Sequence, residues 1–360
     1  MYKQNRACYV IGVSKNFWKK LKDKSDSLQR PIIVLAPMAD VTDSAFRRII
    51  AKYSKMGTDE SVLDCMWTEF VSADGLCHDE ARKKLLIDLS YTEAERPIVA
   101  QIFTSKPENM REAASLCAKL GFNGVDINMG CPDWSIEKQG CGASLIKNPE
   151  LAKKLIVAAK DGVRQAGSDI PISVKTRIGY SKNELSTWLP ALLSENPAVV
   201  TIHARTRKEL SLVPARWEHI KEAVSIRDGL GSETLIFGNG DILTTQDAFA
   251  KAKETGADGV MIGKGIFGTP DLFLSNPDIK YKDESEKEKI VRRLSIMVEH
   301  TKLFEELLGE YKSFAIMKKH YKAYVNGFNG AKELRVELME AKDSKEIERS
   351  VDNFVSNLQV

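Results

Sequence analysis

Between Ile127 and Leu145 the chain reads INMGCPDWSIEKQGCGASL, which sets the thiols of Cys131 and Cys141 among Gly130, Gly140, Gly142 and Pro132. A thiol in such a loop has three chemistries open to it. As a metal site, Cys131 with Cys141 is a poor zinc pair, because nine residues separate them and no histidine is near. As a nucleophile, Cys131 would want an adjacent histidine or a helix N-terminus. As a general acid it needs only an ordinary pKa of about 8.5, which keeps the thiol protonated at neutral pH and able to deliver a proton. Cys141 reads as a small apolar filler.

A second group stands out by contrast with its surroundings. Gln101, Lys175, His203 and Arg205 lie inside or at the end of otherwise apolar runs, AQIF, ISVKTR and VVTIHAR. Turn chemistry does not call for these types, and a charge directed into a core is costly without a partner. Nearby in the pattern, GNGDI and GKGIFG are glycine clusters of the kind that let backbone N–H groups approach an anion, with the start of a following helix adding positive charge. Together they read as a phosphate cup. With a phosphate there, Gln101, Lys175 and His203 would surround a planar, polar-edged group, and a flavin fits. A lysine beside its N1 edge stabilises the reduced ring, and a glutamine amide can both donate to and accept from the pyrimidine. One cup and no GxGxxG unit point to FMN rather than FAD.

These residues need a scaffold that brings them together. From Ile32 onward, Val- and Ile-rich runs alternate with helical periodicity. Strands are expected at 32–38, 65–70, 98–103, 124–130, 172–177, 199–205, 235–241 and 259–265. Eight βα units over roughly 240 residues is the size of an α/β (β/α)8 barrel, with a doubly wound open sheet as the alternative. The barrel is favoured because nearly every strand ends in a polar or glycine-rich signature, and a barrel gathers all eight ends on one face. The two glycine clusters then follow strands seven and eight, where barrel enzymes commonly bind phosphate.

Composition agrees with an ordinary globular chain: 360 residues, 43% hydrophobic, 29% charged, net charge +3. That charge is too small to announce a nucleic-acid partner, so a basic surface has to be local. No apolar run reaches membrane-spanning length. The opening MYKQNRACYVIGVSKNFWKKLKDK carries most of its lysines after its short apolar stretch, the wrong order for a secretory signal. Six cysteines without a paired pattern suit a reducing, cytoplasmic setting.

The strings VLAPMADVTDSAFRRI, TEF, AQIF, INMGCP with GCGASLIKNPE, VKTRIGY, TIHARTR, GNGDI and GADGVMIGKGIFGTP, in this order, resemble the tRNA-dihydrouridine synthase family. MKKHYKAYVNGFNGAKELR resembles that family's C-terminal helical domain. The resemblance implies a TIM barrel over 31–280 that binds FMN, a small all-helical RNA-binding domain over 281–360, and a basic extension over 1–30 that the family core does not need. It implies reduction by NADPH and saturation of the C5–C6 bond of particular uridines in tRNA. It implies that Pro37, Met38, Ala39 and Gln101 contact the flavin, with Lys175 and His203 at its ring edge. Asn239, Gly240, Asp241, Gly263 and Lys264 would hold the ribityl phosphate, and Cys131 would protonate C5. Position 264 is usually arginine in that family; Lys264 keeps the charge without the bidentate fork.

The chemistry adds its own demands. A uracil inside stacked RNA cannot reach a flavin in a barrel, so the base must be flipped out; Asn128 and Arg205 are the candidates for holding it. The backbone needs a basic grip. KSFAIMKKHYKAYVNGFNGAKELR supplies Lys312, Lys318, Lys319, Lys322, Lys332 and Arg335, interleaved with aromatics that include Tyr321 and Tyr324, beside the neighbouring Tyr311. The basic NFWKKLKDK either extends this surface or is a free tail. No metal, membrane or stable protein partner is implied. The rivals are an FMN-dependent small-molecule reductase of the dihydroorotate dehydrogenase or ene-reductase type, and a non-catalytic RNA-binding barrel.

Overall fold

The computed structural model describes residues 17–276 and 281–358. Eight parallel strands close into a barrel in chain order. They are β1 (Ile32–Leu35), β2 (Leu63–Ser72), β3 (Ile98–Phe103), β4 (Gly124–Asn128), β5 (Ile172–Arg177), β6 (Val199–His203), β7 (Leu235–Asn239) and β8 (Gly259–Ile262). Closure is direct, with β8 pairing β1 from Ile32 opposite Gly259 to Leu35 opposite Ile262. The (β/α)8 expectation therefore holds against the open sheet. Strands three and five match their expected spans end to end, whereas β1, β4, β6, β7 and β8 stop short and β2 runs longer at both ends. At β7 the shortening has a backbone cause: Gly240 (φ +128°) and Asp241 (φ +53°) take conformations no strand can use, so they turn out of the ladder at the barrel mouth.

Side chains two apart on a strand share a face, and this parity builds the barrel interior in layers. Ile32, Val34, Cys65, Trp67, Val99, Val199, Phe237 and Met261 form its apolar floor. Phe17 and Trp18 join that floor from the helix Phe17–Ser27. Trp18 is buried, with its ring centroid 5.8 Å from Trp67 and 5.5 Å from Phe237. Arg30 clamps Asp64 at the start of β2 through two hydrogen bonds of 2.6 and 2.8 Å. The described part of the basic extension is thus a plug under the barrel, at the end opposite the mouth. Its lysines Lys19 and Lys22 pair with Asp23 and Asp26 on their own helix. Residues 1–16 of that extension lie outside the described residues.

Beyond the barrel, the helix Glu286–Leu308 begins with a Ser285–Glu288 capping box and leads to shorter helices at Lys318–Tyr324, Ala331–Glu340 and Ser344–Ser356. These share a second core, including Met297, Phe304, Tyr321, Tyr324, Leu334 and Ile347, and this core takes in Ala45 and Ile49 of the barrel helix Ser44–Tyr53. Lys52 and the Tyr53 hydroxyl both reach Glu299, at 2.7 and 2.6 Å, and tie the same two helices. Among the described residues, no helix is long and apolar enough to cross a membrane.

Candidate active site

Asn128 ends β4, and its side chain organises the turn after it. Its Oδ1 accepts the backbone N–H of Gly130 at 3.1 Å and of Cys131 at 2.9 Å, bending the chain so that Cys131 stands half-buried at the mouth. Its Nδ2 donates to Gln101 Oε1 at 3.0 Å, and Gln101 Nε2 donates to Asp126 Oδ2 at 2.6 Å. Ser173 donates to the other Asp126 oxygen at 2.6 Å. This chain of buried amides leaves neither Gln101 nor Asn128 free to rotate. Burial pushes the Asp126 carboxyl up to about 6, against the hydrogen bonds from Gln101 and Ser173 and the charge of Lys175.

The glycines around the thiol have a packing reason. Gly142 has φ +61°, and a Cβ there would stand 2.6 Å from the Cys131 carbonyl oxygen. Ala143 N–H donates to that same oxygen at 2.9 Å, so the second half of the loop is laid directly on Cys131. Cys141 is buried with Phe103 and Ile136, the filler role expected of it. Burial raises the Cys131 thiol above its ordinary value, and the charges of Arg177 and Lys175 oppose this only in part. The group is a protonated thiol at neutral pH.

Across the mouth the charges are positive. Lys175 lies on β5 with Nζ 3.2 Å from Asn239 Oδ1, and Asn239 in turn donates to the Met261 carbonyl at 2.8 Å. Burial, then the neighbouring Arg177, lowers the Lys175 ammonium to about 8. His203 is driven well below its usual range by burial and then by Arg177, Lys175, Arg205 and Lys264, so it is neutral. Because a guanidinium can only donate, the 3.0 Å contact from Arg205 Nη1 makes His203 Nε2 the acceptor and assigns the ring proton to Nδ1. Arg205 also donates to the Val213 carbonyl at 2.6 Å and forms an ion pair with Asp241. It is 4% exposed, so the residue expected to hold the substrate base has its guanidinium committed to the protein.

The two glycine loops lie side by side. A Cβ on Gly265 would come 2.5 Å from the Ile242 carbonyl oxygen, which shows how closely the loops after β7 and β8 pack. Gly240 is crowded by Ala215 and His203. Gly263 is different: a Cβ there would make ordinary 3.5 Å contacts with Ala36 and Met38, so protein packing does not account for this glycine. Met38 is half-buried, Pro37 buried and Ala39 exposed at the adjoining end of β1, and Lys264 is exposed with Nζ 3.3 Å from Ser211 Oγ. Four cations thus bear on one neutral imidazole, while Asp241 answers Arg205. A positive field over bare backbone fits an anionic phosphate, and the polar edges of Lys175 and His203 fit the ring expected beside it.

The C-terminal basic residues separate into groups. Lys322 is exposed, Lys318 and Arg335 are half-buried, and Lys319 is 3.8 Å from Asp40. Arg335 donates to the Val325 carbonyl at 2.6 Å. Lys312, expected in the RNA grip, instead binds Glu69 at 2.6 Å and Asp88 at 2.8 Å between barrel and helices. Tyr321 and Tyr324 are fully buried in the C-terminal core, and Tyr311 is exposed. An aromatic on an amphipathic helix reads the same from sequence on either face.

Two residues of the mouth escaped the sequence reading. Asp126 anchors the amide chain, and Arg177 donates to the Gly130 carbonyl at 2.8 Å and to Thr206 and Leu210 at 3.1 and 3.0 Å, tying the Cys131 loop to the loop after β6. Both carried a signal. Asp126 is an acid in an apolar strand two before Asn128, and Arg177 is two after Lys175, so each shares its neighbour's face. Among the described residues, no group of His, Cys, Asp and Glu could hold a metal ion.

A family model described as dihydrouridine synthase matches residues 34–359. The chain is 38% identical over 344 residues to the probable tRNA-dihydrouridine synthase 2 of Bacillus subtilis (strain 168), covering 95% of this chain and 97% of that protein. It is 36% identical over 348 residues to the probable tRNA-dihydrouridine synthase of Staphylococcus aureus (strain COL), with 96% and 98% covered. Among solved structures, 6-hydroxypseudooxynicotine amine oxidase from Pseudomonas geniculata N1 aligns with a TM-score of 0.52 at 10% identity, over 78% of this chain and 53% of that one, a likeness of fold alone.

Proposed function

The chain belongs to the dihydrouridine synthase family, and from that premise we propose that it is an FMN-dependent tRNA-dihydrouridine synthase, reduced by NADPH and working in the cytoplasm. The observation that carries the reading is the juxtaposition of a protonated thiol, Cys131, with a cationic, glycine-lined mouth. FMN, when bound, would supply hydride to C6 of a uracil ring. Lys264 and the backbone of Gly240, Asp241 and Gly263 would hold its phosphate, with Asn239 fixing the loop; Met38, with Pro37 and Ala39 beside it, would line the cofactor from the turn after β1. Lys175 would set a positive charge at the pyrimidine edge, and neutral His203 would offer Nδ1–H as a donor. Gln101 would meet the ring with an amide already oriented by Asp126 and Asn128.

The protein's remaining task is a proton. Cys131 delivers it from Sγ to C5 of the flipped uracil, and a thiol whose pKa is raised by burial is available as the acid across the neutral range. Asn128 and Arg205 serve this step as positioning residues, Asn128 by holding the Cys131 backbone and Arg205 by holding His203 and Asp241. Lys318, Lys319, Lys322 and Arg335 face the RNA from the helical domain.

Mass spectrometry of nucleosides from unmodified tRNA incubated with the protein, FMN and NADPH tests this directly. The expected product is uridine heavier by two hydrogens. If NADPH is consumed while every uridine keeps its mass, the tRNA reading is wrong.

A further inference from the structure

Several lysines on the outer helices pair with a carboxylate three or four positions away, as in Lys19–Asp23, Lys83–Glu80, Lys153–Glu150 and Lys251–Glu254. The lysines in the loops that follow β4, β5 and β6 at the barrel mouth are gathered on one surface without such partners. Lys138, Lys147, Lys182 and Lys208 are exposed there, and no carboxylate pairs with them among the described residues. The acids of the same connections are taken up by protein donors. Glu137 accepts from Arg207 at 2.6 Å, Glu184 from the Tyr180 N–H at 2.6 Å, Glu209 from the Thr206 N–H at 2.8 Å, and Asp133 from the Ser135 N–H at 2.7 Å.

Two aromatic rings sit among these lysines. Trp134 is 71% exposed, with Lys138 Nζ 4.6 Å from its ring centroid. Tyr180 has Lys147 Nζ at 3.4 Å and the Arg207 guanidinium at 5.5 Å. Arg207 also donates to the Pro132 carbonyl at 3.2 Å, which joins the three connections into one surface that begins beside Cys131. A large exposed indole costs apolar hydration, and unpaired like charges repel. An anionic, stackable partner removes both penalties.

We propose that this surface is a second tRNA grip carried by the barrel itself, in which Lys138, Lys147, Lys182 and Lys208 neutralise phosphates and Trp134 stacks a base beside the flipped uridine. The proposal rests on the reading of the protein as a tRNA-modifying enzyme. Its geometry is complementary to the helical domain. The C-terminal helices pack against the β1 and β2 side, through the helix Ser44–Tyr53 and Glu69. The connections after β4, β5 and β6 lie across the mouth in a barrel ordered one to eight. Two grips on opposite sides of Cys131 hold an RNA in one orientation, where a single one leaves it free to pivot. Stacking on Trp134 requires no particular base.

The test is tRNA binding by the FMN-loaded full chain as a function of salt, together with dihydrouridine formation. The quadruple variant K138A/K147A/K182A/K208A is expected to bind about tenfold or more weakly and to lose roughly one unit of salt slope per phosphate contact removed, with FMN binding and thermal melting as for the parent. Trp134→Ala is expected to raise KM for tRNA about tenfold with kcat little changed, and Trp134→Phe to restore most of it. A quadruple variant with the parent's affinity and salt slope would overturn the grip, and a Trp134→Ala enzyme with the parent's KM would overturn the stacking role. If the parent binds tRNA yet leaves its uridines unreduced, the functional reading fails while the grip stands; if the parent binds no tRNA, both fail.

Discussion

Cys131 and Lys175 face the same mouth with opposite demands on their protons. Burial favours the neutral form of each, which keeps the thiol protonated and strips the ammonium of its charge at a lower pH than usual. Replacing Cys131 by Ala should leave the yellow flavin spectrum intact and slow dihydrouridine formation by about 10²- to 10⁴-fold, the usual weight of a positioned acid; undiminished turnover would remove the assignment. Lys175 is charged below about pH 8, so FMN affinity should be greatest there and decline as pH rises through that value. Lys175→Met should weaken FMN binding about ten- to hundredfold at pH 7, as for a lost hydrogen bond to a charged group, and flatten the pH dependence in a flavin fluorescence titration. The sign for stability is opposite. Because the folded pKa lies below the free value of 10.5, the unfolded chain binds more protons between about 8 and 10.5, and the apo protein gains stability as pH rises across that window. Lys175→Met should accordingly raise the apo melting temperature at pH 7.

The Cys131 loop is a folded element in its own right, held by Asn128 from below, by Arg177 through Gly130, and by Gly142 laid against the Cys131 carbonyl. Gly142→Ala forces a side chain into a left-handed conformation and into contact with that carbonyl. The expected cost is about 1–3 kcal/mol, seen in chemical denaturation, together with reduced turnover on tRNA and unchanged FMN content. A Gly142→Ala protein as stable and active as the parent would show that the loop has another way to close. The helix Phe17–Ser27 illustrates the same point at the other end of the barrel, since its lysines suggest a surface while Phe17 and Trp18 belong to the floor.

Barrel and helical domain meet through buried charge. Lys312 bridges Glu69 and Asp88, and Glu69 in turn accepts the Asp40 N–H at 2.5 Å. Burial raises the Glu69 carboxyl, and burial with the Glu69 charge lifts Asp43 to about 7. Lys312→Met strands these carboxylates and should destabilise the protein by about 3–5 kcal/mol at neutral pH. The penalty should shrink as pH falls and the carboxyls take up protons, a trend that melting curves across pH would record; a pH-independent loss would mean that packing, rather than charge, holds the joint. At this scale the C-terminal helices and the barrel are joined by the same buried charges, Lys312 with Glu69 and Asp88.

The sequence by itself determined the eight-strand alternation, the glycine loops after β7 and β8, the thiol after β4 and the family resemblance, because each is written in local periodicity or in an ordered motif. What it could not decide is which way a polar side chain spends its hydrogen bonds. Arg205 looks like a substrate ligand until Val213, His203 and Asp241 are brought around it, and Lys312 looks like part of an RNA grip until Glu69 arrives from 243 positions away. Tyr321 and Tyr324 turn inward because the second core forms on that face of their helix. A residue's type is a local fact, whereas its partners are set by long-range packing, and in this protein that packing separates the groups left facing the mouth from those consumed in building it.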